Sequence, residues 1–257
     1  MGDSKSIDAL ANTVPADAAS DQKPVQLDVR SRLLAHAGPV FANLGFDRAT
    51  LREICGEANV NIASVAYYFG DKMGLYRAVI REVRDQRERR FPFPDRDTDV
   101  APRESLTRLV HTMLSRMLTG DDTDWEAQLL MREMMDPTIA FRELAEEFFR
   151  PIFNQLKSTF AKLIKQSRTE SATDIPDHVL DQLAISVVGQ CVYYGFGRGV
   201  IGLLRTPDAN EDHFEIDSLC QHITAVMIAA AHHQDFEADK RATASMIEQI
   251  KKQSKAI

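Results

Sequence analysis

The stretch TLREICGEANVNIASVAYYFGDKMGLYRAVI, Thr50 to Ile80, carries three helix starts in quick succession and decides the fold. Thr50 stands where an N-cap belongs, with Glu53 at the capping-box position, and Leu51, Ile54, Cys55 and Ala58 give a helix of about two turns its buried face. Asn61 can cap a third helix running through Phe69, and Gly70 ends it by accepting a left-handed backbone. A fourth helix runs from about Asp71 to Arg90, with Leu75, Tyr76, Val79 and Val83 inward. Upstream, Leu33, Leu34, Ala37, Val40, Phe41 and Leu44 fall on the stripe of one amphipathic helix that Gly45 stops. Two short helices joined by a tight turn and held by longer neighbours form a helix-turn-helix module.

A helical wheel divides the aromatic cluster of the third helix. Val65, Tyr68, Phe69 and then Lys72 share one side and are expected in the core, whereas Ile62, Ala63, Ala66 and Tyr67 lie on the other. Small and apolar residues on an outward face suit close approach to a DNA groove. Ile62 can meet a thymine methyl, Asn61 and Ser64 can reach base edges or phosphates, and the Tyr67 hydroxyl can reach a phosphate. Thr50, Arg52 and Lys72 flank that face, and Lys72 sits at a helix start where free N–H groups also favour phosphate.

Charge is unevenly spread. Residues 28–90 hold eleven Lys and Arg against eight Asp and Glu, whereas the rest holds twenty against thirty, so a basic N-terminal unit is joined to an acidic remainder. Cys55, Cys191 and Cys220 are far apart and lack metal-site spacing, and no apolar leader opens the chain, which predicts a reduced, cytoplasmic setting. Leu183 to Leu204 has the length of a membrane span but contains Gln190, Arg198 and five glycines, so a helix buried among helices is expected instead.

The chain reads as all-α. Residues 1–24 are expected to be a disordered lead, 25–90 the DNA-binding unit, 91–102 a proline-broken linker, 103–235 a helical effector-binding and dimerisation unit, and 236–257 an amphipathic tail. Within 103–235 helices are expected near Leu106–Met117, Trp125–Met134, Ile139–Gln166 with a break at Pro151, Pro176–Leu204 and Asp212–His233. Trp125, Arg132, Phe149, Tyr193, Tyr194 and Phe196 are candidates to line an effector pocket, or to serve as bundle core or dimer interface. Cys220, His222, His232 and His233 lack the spacing of a metal site, and no nucleophile triad, phosphate loop or zinc motif is visible. No metal, cofactor or enzymatic activity is expected.

The Thr50–Ile80 stretch resembles the helix-turn-helix of the TetR/AcrR family of transcriptional regulators, and the asparagine-rich turn with the "YYFG-x-K" ending resembles its CecR-like branch. FFRPIFNQLKSTFAKLI and ISVVGQCVYYGFGRGVIGLL resemble that branch's C-terminal part less specifically. The resemblance implies a homodimer on a near-palindromic double-stranded operator, a small effector bound in the C-terminal unit, and a repressor's role at efflux or detoxification genes. Carried over by position, the DNA contacts are Thr50, Asn61, Ile62, Ala63, Ser64, Ala66, Tyr67 and Lys72. Many members carry lysine where this chain has Ile62 and tyrosine where it has Ala66, so the operator does not transfer. The competing expectation is an all-α ligand-sequestering or catalytic protein with an idle helix-turn-helix.

Overall fold

The computed structural model describes residues 28–95, 99–119, 125–167, 175–205, 211–232 and 236–254, so the expected lead at 1–24 lies outside the described residues. Helix α1 (Val29–Arg48) begins at Asp28, whose carboxylate accepts from Ser31 N at 2.7 Å. It breaks at Gly45, where φ is +77°. Short helices α2 (Leu51–Glu57) and α3 (Ala63–Phe69) follow, joined by a turn in which Asn59 takes a left-handed φ of 50°. Helix α4 (Lys72–Arg90) is capped by Asp71, which accepts from Gly74 N at 2.7 Å.

Helices α5 (Pro102–Leu118), α6 (Trp125–Met135) and α7 (Ile139–Leu144) lead into a π turn at Ala145–Phe149 and then α8 (Arg150–Ser167). The expected break at Pro151 is thus a widened turn just before it, closed by Arg150 N–H on the Ala145 carbonyl. A proline within the helix offers no N–H and needs room for its ring, and the wider turn supplies it. Helix α9 (Asp177–Phe196) turns through 82° at Gly197 into α10 (Arg198–Leu204), where one long helix was expected. Among the described residues no single helix is long and apolar enough to cross a membrane. Helices α11 (Ile216–His232) and α12 (Phe236–Ser254) complete the order.

Two cores form. The larger joins α5, α8, α9 and α11 through Leu106, Leu109, Leu156, Phe160, Val187 and Ile223. The smaller holds α1 to α4, with Phe41 and Tyr76 meeting edge to face at 4.7 Å, but it also recruits Leu129 from α6 and Ala140 and Leu144 from α7. The N-terminal core is therefore not built from residues 25–90 alone.

Consecutive residues of α6 fasten it to two helices at once. The Arg132 guanidinium donates to the Ala42 and Asn43 carbonyls at 3.3 and 3.2 Å, near the break in α1. Glu133, fully buried at 0% exposure, accepts from the Tyr76 hydroxyl of α4 and from Thr138 N and Oγ1 at 2.9 and 3.0 Å. Burial, and then the hydrogen bond to Glu133, push the Tyr76 phenol far above its ordinary range, so it stays a neutral donor. Nearby, the Trp125 ring lies against Gly38 of α1, where an added Cβ would come within 2.3 Å of it.

Removing one partner of a buried, charge-assisted hydrogen bond costs about 1.5–3 kcal/mol. Tyr76→Phe and Glu133→Gln are therefore each expected to destabilise the chain by that order in urea titrations, with a coupling of about 1 kcal/mol or more in the double variant. Arg108→Ala, which breaks an exposed pair with Glu104 on α5, should cost about half a kcal/mol or less. Additive effects of the first two changes would contradict the contact.

Candidate nucleic-acid interface

A helix as short as α3 can bury only a narrow strip. Val65 fills it, Phe69 is half-buried, and the Phe69 ring receives the Arg30 guanidinium at 5.6 Å. Tyr68 was expected in the core beside them, but it is 42% exposed and rests edge to face on Tyr67 at 4.8 Å. Its angle from Val65 puts it on the flank of the strip, and no helix among the described residues reaches round to cover it.

The outward face is as the wheel divides it. Tyr67 is 82% exposed and Ile62 53%, with Ala63 and Ala66 exposed and Ser64 half-buried. Asn61 uses its side chain locally: Oδ1 accepts from Ala63 N at 2.8 Å, leaving the amide NH2 to reach outward. Thr50 Oγ1 likewise accepts from Glu53 N at 3.2 Å, which leaves its hydroxyl proton available to a phosphate. Arg52, two residues along, is exposed.

Lys72 is placed differently from the other candidates. Gly70, at φ +82°, turns the chain out of α3, so Lys72 begins α4 and does not continue the α3 face. Its ammonium donates to the Asp47 carbonyl at 3.1 Å and lies 4.7 Å from the centre of the Phe46 ring. Phe46 in turn lies 5.1 Å from Tyr76, so the chain Glu133–Tyr76–Phe46–Lys72 is continuous from α6 to this corner. An ammonium has three donors, and those not spent on Asp47 remain for an anion.

The basic excess of residues 28–90 does not sit on this face. Helix α3 carries no charged residue, and the arginines cluster along α4. There Arg77 grips Glu143 of α7 with two bonds of 2.8 and 2.7 Å, and Arg87 lies 3.6 Å from Glu126 of α6 and donates to the Arg116 carbonyl. Those charges tie the α4 shaft to α5, α6 and α7, and of the candidate contacts only Arg52 and Lys72 are cations.

The six effector candidates do not come together. Trp125 and Arg132 pack on α1, and Phe149 lies tilted against Phe141 and edge to face with Phe148, ring centres 5.8 and 5.5 Å apart. Tyr193 and Tyr194 line a depression at the α9–α10 turn, while Phe196 is half-buried at the end of α9 and is not among that depression's lining residues. Arg205 and Phe214 also line the depression. Arg205 lay between the expected helices and Phe214 in the first turn of the expected Asp212–His233 helix, where the structure has a separate short turn at Glu211–Phe214, and nothing in the periodicity distinguished them.

Comparison with known proteins bears on both halves. A family model described as "Bacterial regulatory proteins, tetR family" matches residues 33–79, and one described as "HTH-type transcriptional dual regulator CecR, C-terminal domain" matches residues 102–231. An "HTH-type transcriptional dual regulator CecR" of Shigella flexneri is 29% identical over 208 residues, covering 76% of this chain and 87% of the relative. Among solved structures, a TetR-like transcriptional regulator from Rhodococcus sp. RHA1 is similar with TM-score 0.53 and 19% identity, covering 80% of this chain and 97% of that one. The regulator FadR from Bacillus subtilis in complex with stearoyl-CoA is similar with TM-score 0.53 and 15% identity over 77% and 97%. These structures share the fold.

Few cations on the face predict a shallow salt dependence. Each neutralised phosphate contributes about 0.9 to the slope of log K against log salt, so Lys72→Ala should flatten it by about 0.9 for each copy bound. Changes at Asn61 or Ser64 should instead shift preference at particular base pairs by about 1–3 kcal/mol. Fluorescence anisotropy across a salt series separates the two classes, and an unchanged slope for Lys72→Ala would remove it from the interface.

Proposed function

We propose that this chain, which belongs to the TetR family of transcriptional regulators and carries the CecR-type C-terminal domain, acts as a homodimeric repressor released by a small effector. DNA binding is the work of α2 and α3. The observation that carries the contact assignment is the exposed Ile62, Ala66 and Tyr67 face on a helix whose opposite side is anchored by buried Val65. A solvated helix has no use for such a face, whereas a major groove accepts it. Thr50, Arg52, Asn61, Ala63, Ser64 and Lys72 surround it as phosphate and base-edge contacts.

Two copies are needed to read a two-fold site, and the outward sides of α9 and α11 offer the surface. Ile185 of α9 and Val226 of α11 are exposed apolar residues on adjacent helices, a pattern suited to an isologous contact. The bundle of α5, α8, α9 and α11 then holds the dimer and the effector, and α6 and α7 carry the effector's influence to α1 and α4. Catalysis has no part in this reading, and the setting is cytoplasmic.

A mobility-shift titration on the duplex upstream of the chain's own coding region tests it. The expected result is a complex of two copies per site, tighter than on random duplex by about a thousandfold or more at physiological salt. Absence of any shift across a broad duplex library would favour an all-α ligand-binding protein with an idle N-terminal unit.

A further inference from the structure

The 82° turn at Gly197 leaves a notch at one end of the bundle. Its floor is the last part of α9, one wall is α10, and the other is Phe214 in the short turn before α11. Two adjoining depressions of about 720 and 410 Å³ share Tyr194, Ile201, Arg205 and Phe214. Each by itself has the size of a small-molecule site.

The lining is of two kinds. Ile201, Leu204, Phe214 and the rings of Tyr193 and Tyr194 are apolar surface, and α10 buries none of its residues, with Leu204 itself 77% exposed. Such a concentration of uncovered apolar side chains needs a cover. The polar residues beside it include two guanidiniums. Arg205 stacks over the Phe214 ring with its central carbon 4.1 Å from the ring centre, and Arg198 donates to the Leu118 carbonyl. Both are engaged with neighbours, yet a guanidinium offers five donors in a fixed fork and can take an anion while keeping such a contact. Glu215 is the one carboxylate lining either depression among the described residues.

We propose that this notch binds an amphipathic organic anion, with its apolar body along α10 and Phe214 and its carboxylate or phosphate end at Arg205 and Arg198. The proposal rests on the reading of the chain as effector-responsive and names the site and ligand class. An organic cation would meet the two guanidiniums, and a polyhydroxylated ligand would leave its hydroxyls against apolar walls. A charged head at one end and a chain or ring at the other satisfies both halves of the lining.

Isothermal titration calorimetry on the full chain tests it with three probes of one tail length: octanoate, 1-octanol and octyltrimethylammonium. Octanoate is expected to bind saturably, 1-octanol at least tenfold more weakly, and the cation not at all. Arg205→Gln and, separately, Leu204→Asp should each weaken octanoate at least tenfold while circular dichroism stays unchanged. Equal binding of the three probes, no saturable octanoate binding, or wild-type affinity in both variants would overturn the site. DNA binding is measured separately on the same preparations. Failure of octanoate to alter a bound operator complex, with calorimetric binding intact, would count against the effector reading and leave the site standing.

Discussion

The contact on which the rest of the molecule depends is the buried carboxylate of Glu133 receiving the Tyr76 hydroxyl and both donors of Thr138. A carboxylate without exposure is tolerated only when its lone pairs are occupied, and here three donors occupy them. The same turn of α6 sends Arg132 to the carbonyls of α1. Helices α1 and α4 are thus held by adjacent side chains of a helix that belongs, by sequence, to the other half of the chain. Directional bonds of this kind permit one arrangement, whereas apolar packing alone tolerates sliding.

That rigidity bears directly on α3, which cannot hold itself. Its seven residues contribute one fully buried side chain, so its orientation is inherited from α1 and α4. The economy leaves nearly the whole helix surface outward, and on the proposed reading that surface is spent on DNA. Because α3 lacks charge and Arg77 and Arg87 of α4 are committed to α5, α6 and α7, recognition at this face would, on that reading, rely on shape, methyl contacts and a few hydrogen bonds more than on a field of charge.

Much of this was legible along the chain because it is local. Thr50 and Gly70 act where their chemistry predicts, since a cap or a left-handed turn depends on residues within a few positions. Asn61 pairs with Ala63 N in the same local way. The misjudged residues depend on partners far away in sequence. Tyr68 satisfies the wheel but finds no helix among the described residues to cover it. Trp125 and Arg132 look like pocket residues until α6 is seen lying on α1. The bend at Gly197 divides a segment whose hydropathy is continuous, and the notch it creates draws Phe214 from beyond the next loop. No periodicity encodes such pairings.

The central claim is that the Ile62–Ala66–Tyr67 face enters the major groove in an orientation set by α6. The three native cysteines are buried, so an Ala66→Cys substitution offers a single accessible thiol for an iron–EDTA label on the full chain. Bound to its operator, the labelled protein should cut the duplex in two compact clusters about one helical turn apart, with the strand offset of cleavage from the major groove. Diffuse cutting along the duplex, or tight binding with no cutting near the site, would contradict the account.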